Sequence, residues 1–204
     1  GTFRIEANDL SAVQVCRERR LPFVGGPTLN VYNHRALAML MDDGLYRWVP
    51  GVEQGRTLLQ ELRDALEADG GTMPELEMPA WGRLPLAYSA RCFTARALDV
   101  PKDQCGFRCI EHPDGLPLST REGESFMTIN GIQIQGTEVV DMLPLRDELA
   151  ALGVGILRIS PQAQGMDEVL AHFVEGLLAP QPPAPLGARN GYWDGQPGKA
   201  TLAQ

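Results

Sequence analysis

From residue 3 onward, short apolar runs alternate with polar turns and then with stretches whose apolar positions recur every three or four residues. That rhythm of strand, turn and amphipathic helix predicts βα units and an α/β chain with parallel strands. Residues 3–7 make the first strand. Asp9 then caps a helix to about Arg20, with Leu10, Val13 and Val15 on its apolar side. A second strand covers 22–25. Asn33 caps a helix over 35–42 that Gly44 stops, a third strand covers 45–52, and a helix over 56–68 is closed by Gly70 and Gly71.

Residues 76–88 are apolar but broken by Pro79 and Pro85, so a short strand leading into a cysteine-bearing segment is expected there. A strand or hairpin is predicted over 126–134, around the turn dipeptide Asn130-Gly131. A helix over 138–151, a strand over 155–160 and a helix over 166–178 follow. Pro180, Pro182, Pro183 and Pro185 then make a stiff extended linker, and Tyr192 and Trp193 in the polar tail are expected to dock on the body.

The resulting organisation is a partial barrel-like βα domain over 1–179, including the cysteine segment 85–115, followed by a linker and tail over 180–204. About six strands are visible where an eight-stranded barrel needs more, and the first strand follows Gly1 almost at once. The expectation is that the first units of the barrel precede this sequence.

Composition narrows the functional classes. With 204 residues and 44% hydrophobic content, the chain can bury a substantial core. Its net charge of -8 and the absence of a basic run argue against a nucleic-acid partner. Charges and prolines interrupt every apolar run well before about 18 residues, so no membrane span is expected. No leader pattern opens the sequence, and a cytoplasmic location with reduced cysteines is the natural expectation.

Candidate chemistry concentrates in one segment, where Cys92 is followed by Cys105 and Cys109. If the stretch is helical or turn-like, the last two sulfurs, four residues apart, point the same way. Arg91, Arg96, Lys102 and Arg108 are interleaved among the thiols and have the right sign to offset thiolate charge. The spacing matches no standard zinc finger or ferredoxin string, so metal ligands and buried structural cysteines both stand on spacing alone. Cys16, with Val13 and Val15 as neighbours on the first helix, reads as a core or boundary thiol.

The stretch from Pro85 to Arg96, with Lys102-Asp103-Gln104-Cys105 and Cys109, resembles the signature of the collagenase-like peptidase family, most closely its ubiquinone-biosynthesis (UbiV-like) branch. The resemblance extends through Glu6 to Leu10, Leu21 to Val24, Leu29 to Asn33, Asn130 to Gln133, Arg158 to Gln162 and Asn190 to Trp193, and so covers essentially the whole chain. It implies a TIM-barrel-like fold and a 4Fe-4S cluster held by four cysteines. It also implies a heterodimer with a homologous UbiU-like subunit, and oxygen-independent hydroxylation of a quinone precursor with prephenate as the proposed oxygen source. Cys92, Cys105 and Cys109 fall on three of the four ligand positions, and the fourth lies upstream of Gly1. The alternative is a collagenase-like peptidase or hydrolase with structural or zinc-bound cysteines.

A barrel would place its functional face just beyond the C-terminal ends of the strands. Candidates there are Asn8, Asp9, Asn30, Asn33, Glu53, Asn130, Gln133 and the run Arg158 to Gln162, with Glu53, Asn130 and Arg158 the leading substrate-facing residues. Asp9 and Asn33 are better explained as helix caps. Arg158 has the planar fork that grips a carboxylate. The histidines, His34, His112 and His172, are scattered; no H-E-x-x-H motif or local Ser, His and Asp set supports protease chemistry, while the closeness of His112 to Cys109 keeps a supporting role at a metal open.

Overall fold

A computed structural model describes residues 3–188 and 190–197, with the side chain of Lys102 excepted. Gly1, the Lys102 side chain and tail residues 198–204 therefore lie outside the described residues. The fold is mixed α/β and divides into two compact units. One comprises residues up to Ala80, Leu145–Arg158 and the chain from Asn190; the other comprises Trp81–Pro144 and Ile159–Arg189.

In the first unit, β1 (Ile5–Ala7), β2 (Phe23–Gly25), β3 (Leu45–Trp48) and the start of β4 (Glu75–Tyr88) pair in parallel and in sequence order. Helices α1 (Leu10–Arg19), α2 (His34–Asp42) and α3 (Arg56–Ala68) connect them, as the hydrophobic rhythm predicts. Asp9 accepts from the Ala12 N–H at 2.9 Å and Asn33 from the Ala36 N–H at 2.8 Å, so both are N-caps that satisfy amides the first turn leaves open. On α1 the buried positions are Val13 and Cys16, three apart on one face, while Leu10 and Val15 point to solvent. The expected apolar side of that helix is thus corrected, and the core reading of Cys16 holds. Leu59, Leu62 and Leu66 form the buried stripe of α3.

The first unit also contains α5 (Arg146–Ala151), most of β8 (Val154–Ile159) and the end of the tail. Trp193 is buried in a short turn over Gly191–Asp194, and its indole N–H donates to Glu148. Tyr192 and Trp193 do dock.

The second unit departs from parallel βα units. Here β4 pairs antiparallel with β7 (Gln133–Asp141), β7 with β6 (Ser125–Asn130), and β6 with β5 (Leu116–Ser119). Asn130-Gly131 is the reversal between β6 and β7, with Gly131 at φ 62°. Two expectations need correction. Residues 75–88 form one strand of 14 residues, which accommodates Pro85 by shifting register on either side of it. The helix expected over 138–151 is instead the end of β7 followed by the short α5, because Val139 and Val140 suit a strand and Asp141 ties the chain down. The final helix, α6 (Met166–Leu178), has the bounds the pattern predicts, and its Phe173 packs edge-on to Trp81 at 6.2 Å.

Candidate functional site

The cysteine segment belongs to the second unit. Hydrogen bonds from the Ser89 and Phe93 amides to Ile132 O and Gly131 O tie its start to the β6–β7 hairpin. Cys92 is the N-cap residue of α4 (Phe93–Ala97), a helix that buries Thr94 and Ala95. Cys105 follows a 3-10 turn over Lys102–Gln104, and Cys109 lies in another over Arg108–Glu111. Between those two, Gly106 and Phe107 are consecutive left-handed residues with φ 57° and 55°, so the two thiols do not share a helical face. For Phe107 that conformation costs about 1–2 kcal/mol.

All three thiols are free and half-buried. Backbone hydrogen bonds occupy the carbonyls of Cys92, Cys105 and Cys109, which accept from the Arg96, Arg108 and His112 amides at 3.0–3.2 Å and fix the local turns. Among the described residues, no three His, Cys, Asp or Glu side chains stand close enough together to hold a metal ion. Of the interleaved cations, Arg108 pairs with Glu111 at 2.6 Å, and Arg91 and Arg96 are exposed.

Across the parallel strands of the first unit the structure builds a charge ladder. Glu6 on β1 lies in register with Val24, Val24 with Arg47, and Arg47 with Glu75. Glu77, two residues beyond Glu75, faces the same side. Arg47 binds Glu75 at 2.7 Å and Glu77 at 3.2 Å; Arg158 binds Glu77 at 2.6 Å and Glu6 at 2.5 Å. The Arg158 fork is thus already held by two carboxylates. Burial pushes the Glu6 carboxyl up, but hydrogen bonds from Arg158 and Asn8 and the Arg158 charge outweigh it and hold Glu6 below the usual carboxylate range.

Glu53 accepts a hydrogen bond from the Tyr32 hydroxyl. That bond, with burial and the Glu53 charge, pushes the phenol up to about 12. Asn30 is the left-handed residue closing a turn over Pro27–Leu29, and Asn8 bridges to Thr28, so both shape loops.

Asn130 lies elsewhere, on the wall of a cleft of about 270 Å³ built wholly from the second unit. Its neighbours there include Arg83, Asp114, Gln135, Ser160 and Gln162. Gly82 makes the cleft possible: it sits at φ 128°, and a Cβ on it would lie 2.6 Å from the Ser160 Cβ. The Trp81 indole N–H donates to Gln162 at 3.0 Å, and the Ser160 amide donates to Trp81 O at 2.9 Å. Sequence reasoning reached Asn130 and the run 158–162 but missed Arg83 and Asp114. A lone cation in the apolar run of β4 was the available signal for Arg83.

Gln133 donates to the Tyr88 hydroxyl at 3.3 Å. His172 contacts the buried Asp141 at 2.8 Å, and His34 contacts Asp69 at 3.0 Å. His112 sits at the end of the turn that carries Cys109. No helix among the described residues is long and apolar enough to cross a membrane. No family model matches the chain, and no solved structure matches it.

Proposed function

We propose that this chain is an iron-sulfur subunit of the ubiquinone-biosynthesis branch of the collagenase-like peptidase family, acting with a homologous UbiU-like partner in oxygen-independent hydroxylation of a quinone precursor. The observation that carries this reading is the set of three free, half-buried thiols between Cys92 and Cys109, on a segment held together by short turns. In kind the donors fit, because thiolates are the ligands that iron-sulfur clusters take.

As folded here, no three donors among the described residues are gathered at metal distance, so loading a 4Fe-4S cluster would draw Cys92, Cys105 and Cys109 together. A fourth ligand would come from upstream in the family pattern. The cluster would supply electron transfer or Lewis-acid polarisation. The chain's own part is to hold it. Arg91 and Arg96 offset thiolate charge, and the left-handed turn at Gly106 and Phe107 governs how Cys105 and Cys109 approach each other.

A partner is supported by the surface around Cys109. Phe107 and Ile110 are 72% and 75% exposed, an apolar surface that a second subunit would cover, keeping oxygen from the sulfurs. The parallel run from β1 to β4 supports the TIM-barrel-like reading, with the antiparallel strands as an insertion that carries the cysteines. Prephenate as oxygen donor and a cytoplasmic setting belong to the same proposal. The test is complementation without oxygen. Cells lacking the protein should regain ubiquinone with the wild type and not with Cys92→Ala or Cys105→Ala; full recovery with both variants would refute the reading.

A further inference from the structure

None of the three thiols lines the second-unit cleft, so what it binds is a separate question from the cluster. We propose that it is a binding site for a small carboxylic acid that also carries a hydroxyl or ammonium group, with Arg83 gripping the carboxylate and Asp114 accepting from the second group.

Charge selects the ligand class. Arg83 and Asp114 are the two charged side chains on the wall, and they have opposite signs. Arg83 is part-buried, yet its one hydrogen bond among the described residues is a long one to Gly136 O, at 3.5 Å, and it makes no ion pair there. Arg47 and Arg158 in the first unit each hold two carboxylates. A guanidinium has five N–H donors in a fixed fork, and one that is half-withdrawn from water beside a cleft is best satisfied by an anion placed in that cleft. Asp114 uses one oxygen to accept from the Ala163 amide at 2.7 Å, and its other oxygen is available to a ligand donor.

Size and wall chemistry narrow the class. A cleft of about 270 Å³ lies just under the roughly 300–1,000 Å³ typical of drug-sized ligands, which points to a small metabolite. Pro113, Val139 and Pro161 give an apolar wall for a ring or short chain, while Ser160 and Gln135 add neutral polar groups. The wall is also pre-organised. Gln162 is held at both ends of its amide, by the Trp81 indole and by Gln164 O, and the Asp114 carboxylate anchors the same loop at Ala163. Such fixed groups lower the ordering cost of binding.

The test uses 3-phenyllactate and L-phenylalanine, which carry a hydroxyl or an ammonium on the carbon next to the carboxylate, and 4-hydroxyphenylacetate, whose hydroxyl stands across the ring. Saturation-transfer NMR and calorimetry on the full chain should detect at least one of them. The primary amide of that acid should bind at least tenfold more weakly, as should the acid itself to Arg83→Gln and Asp114→Asn. Amide shifts should centre on Gly82 and Ser160, and Cys92→Ser should bind as the wild type does. Failure of all three acids to bind at millimolar concentration would overturn the proposal, and so would equal binding of acid and amide. The acid–amide comparison needs no variant, so it decides the point even where Arg83→Gln does not fold.

Discussion

Glu6 accepts hydrogen bonds from Asn8 and from the Arg158 fork, and these hold its carboxyl below the usual range despite burial. A carboxyl depressed on folding stabilises the fold above its unfolded value, and that contribution is lost as pH falls through the folded value. The stability difference between wild type and Glu6→Gln is therefore expected to be full at neutral pH and to close below about pH 4. Urea midpoints measured across acid pH check this, and a gap that widened in acid would contradict it. Tyr32 carries the opposite sign, since its raised phenol favours the folded state up to about pH 10 and the advantage fades toward its own value of about 12. Ultraviolet titration should show a late tyrosine step that Tyr32→Phe removes. At this scale the caps Asp9 and Asn33 were legible, because an N-cap bond is made within three residues. The partners of Arg158 were not, because Glu6 and Glu77 meet it only once β1, β4 and β8 are in place.

Among the elements, the end of β7 shows what a local pattern misses. Asp141 is buried and accepts from the Leu143 amide at 3.0 Å, the Leu186 amide at 3.0 Å and His172 at 2.8 Å. The backbone adds pairing between 139–141 and Ala188, so the segment after the prolines runs along β7. A helix over 138–151 would have left those amides and that carboxylate without partners, and two long-range bonds with one local bond outweigh a weak local helical pattern. Asp141→Ala orphans the buried Leu143 amide and the part-buried Leu186 amide and is expected to cost roughly 3 kcal/mol. Chemical denaturation checks it; a loss below about 1 kcal/mol, the range of ordinary surface changes, would show that the anchor is dispensable. The strand β4 was misread for a related reason. Proline breaks a ladder in prospect, but Pro85 sits where the pairing with β7 changes register, so its missing N–H falls at an irregularity. Helices α3 and α6, with long amphipathic stripes, were legible to the residue.

For the whole molecule, the sequence carried the α/β class and the parallel order of the first four strands, since each βα unit is local. It also carried the hairpin turn at Asn130-Gly131, but not the antiparallel pairing of β7 with β4 or of β5 with β6, which joins strands with little periodic signal. The same contrast marks the chemistry. Cys92, Cys105 and Cys109 announce themselves by residue type, whereas the cleft of Arg83 and Asp114 exists only after residues 82, 114 and 160 converge. The proposed partner-covered surface around Phe107 and Ile110 likewise belongs to this scale, because it concerns what the folded chain leaves uncovered. The most direct measurement is iron and acid-labile sulfide on the full-length protein purified without oxygen. Brown protein with about four irons per chain, bleaching in air and losing iron in Cys92→Ala, Cys105→Ala and Cys109→Ala, is the predicted result. Colourless protein without iron, or an iron content unchanged by all three substitutions, would contradict it.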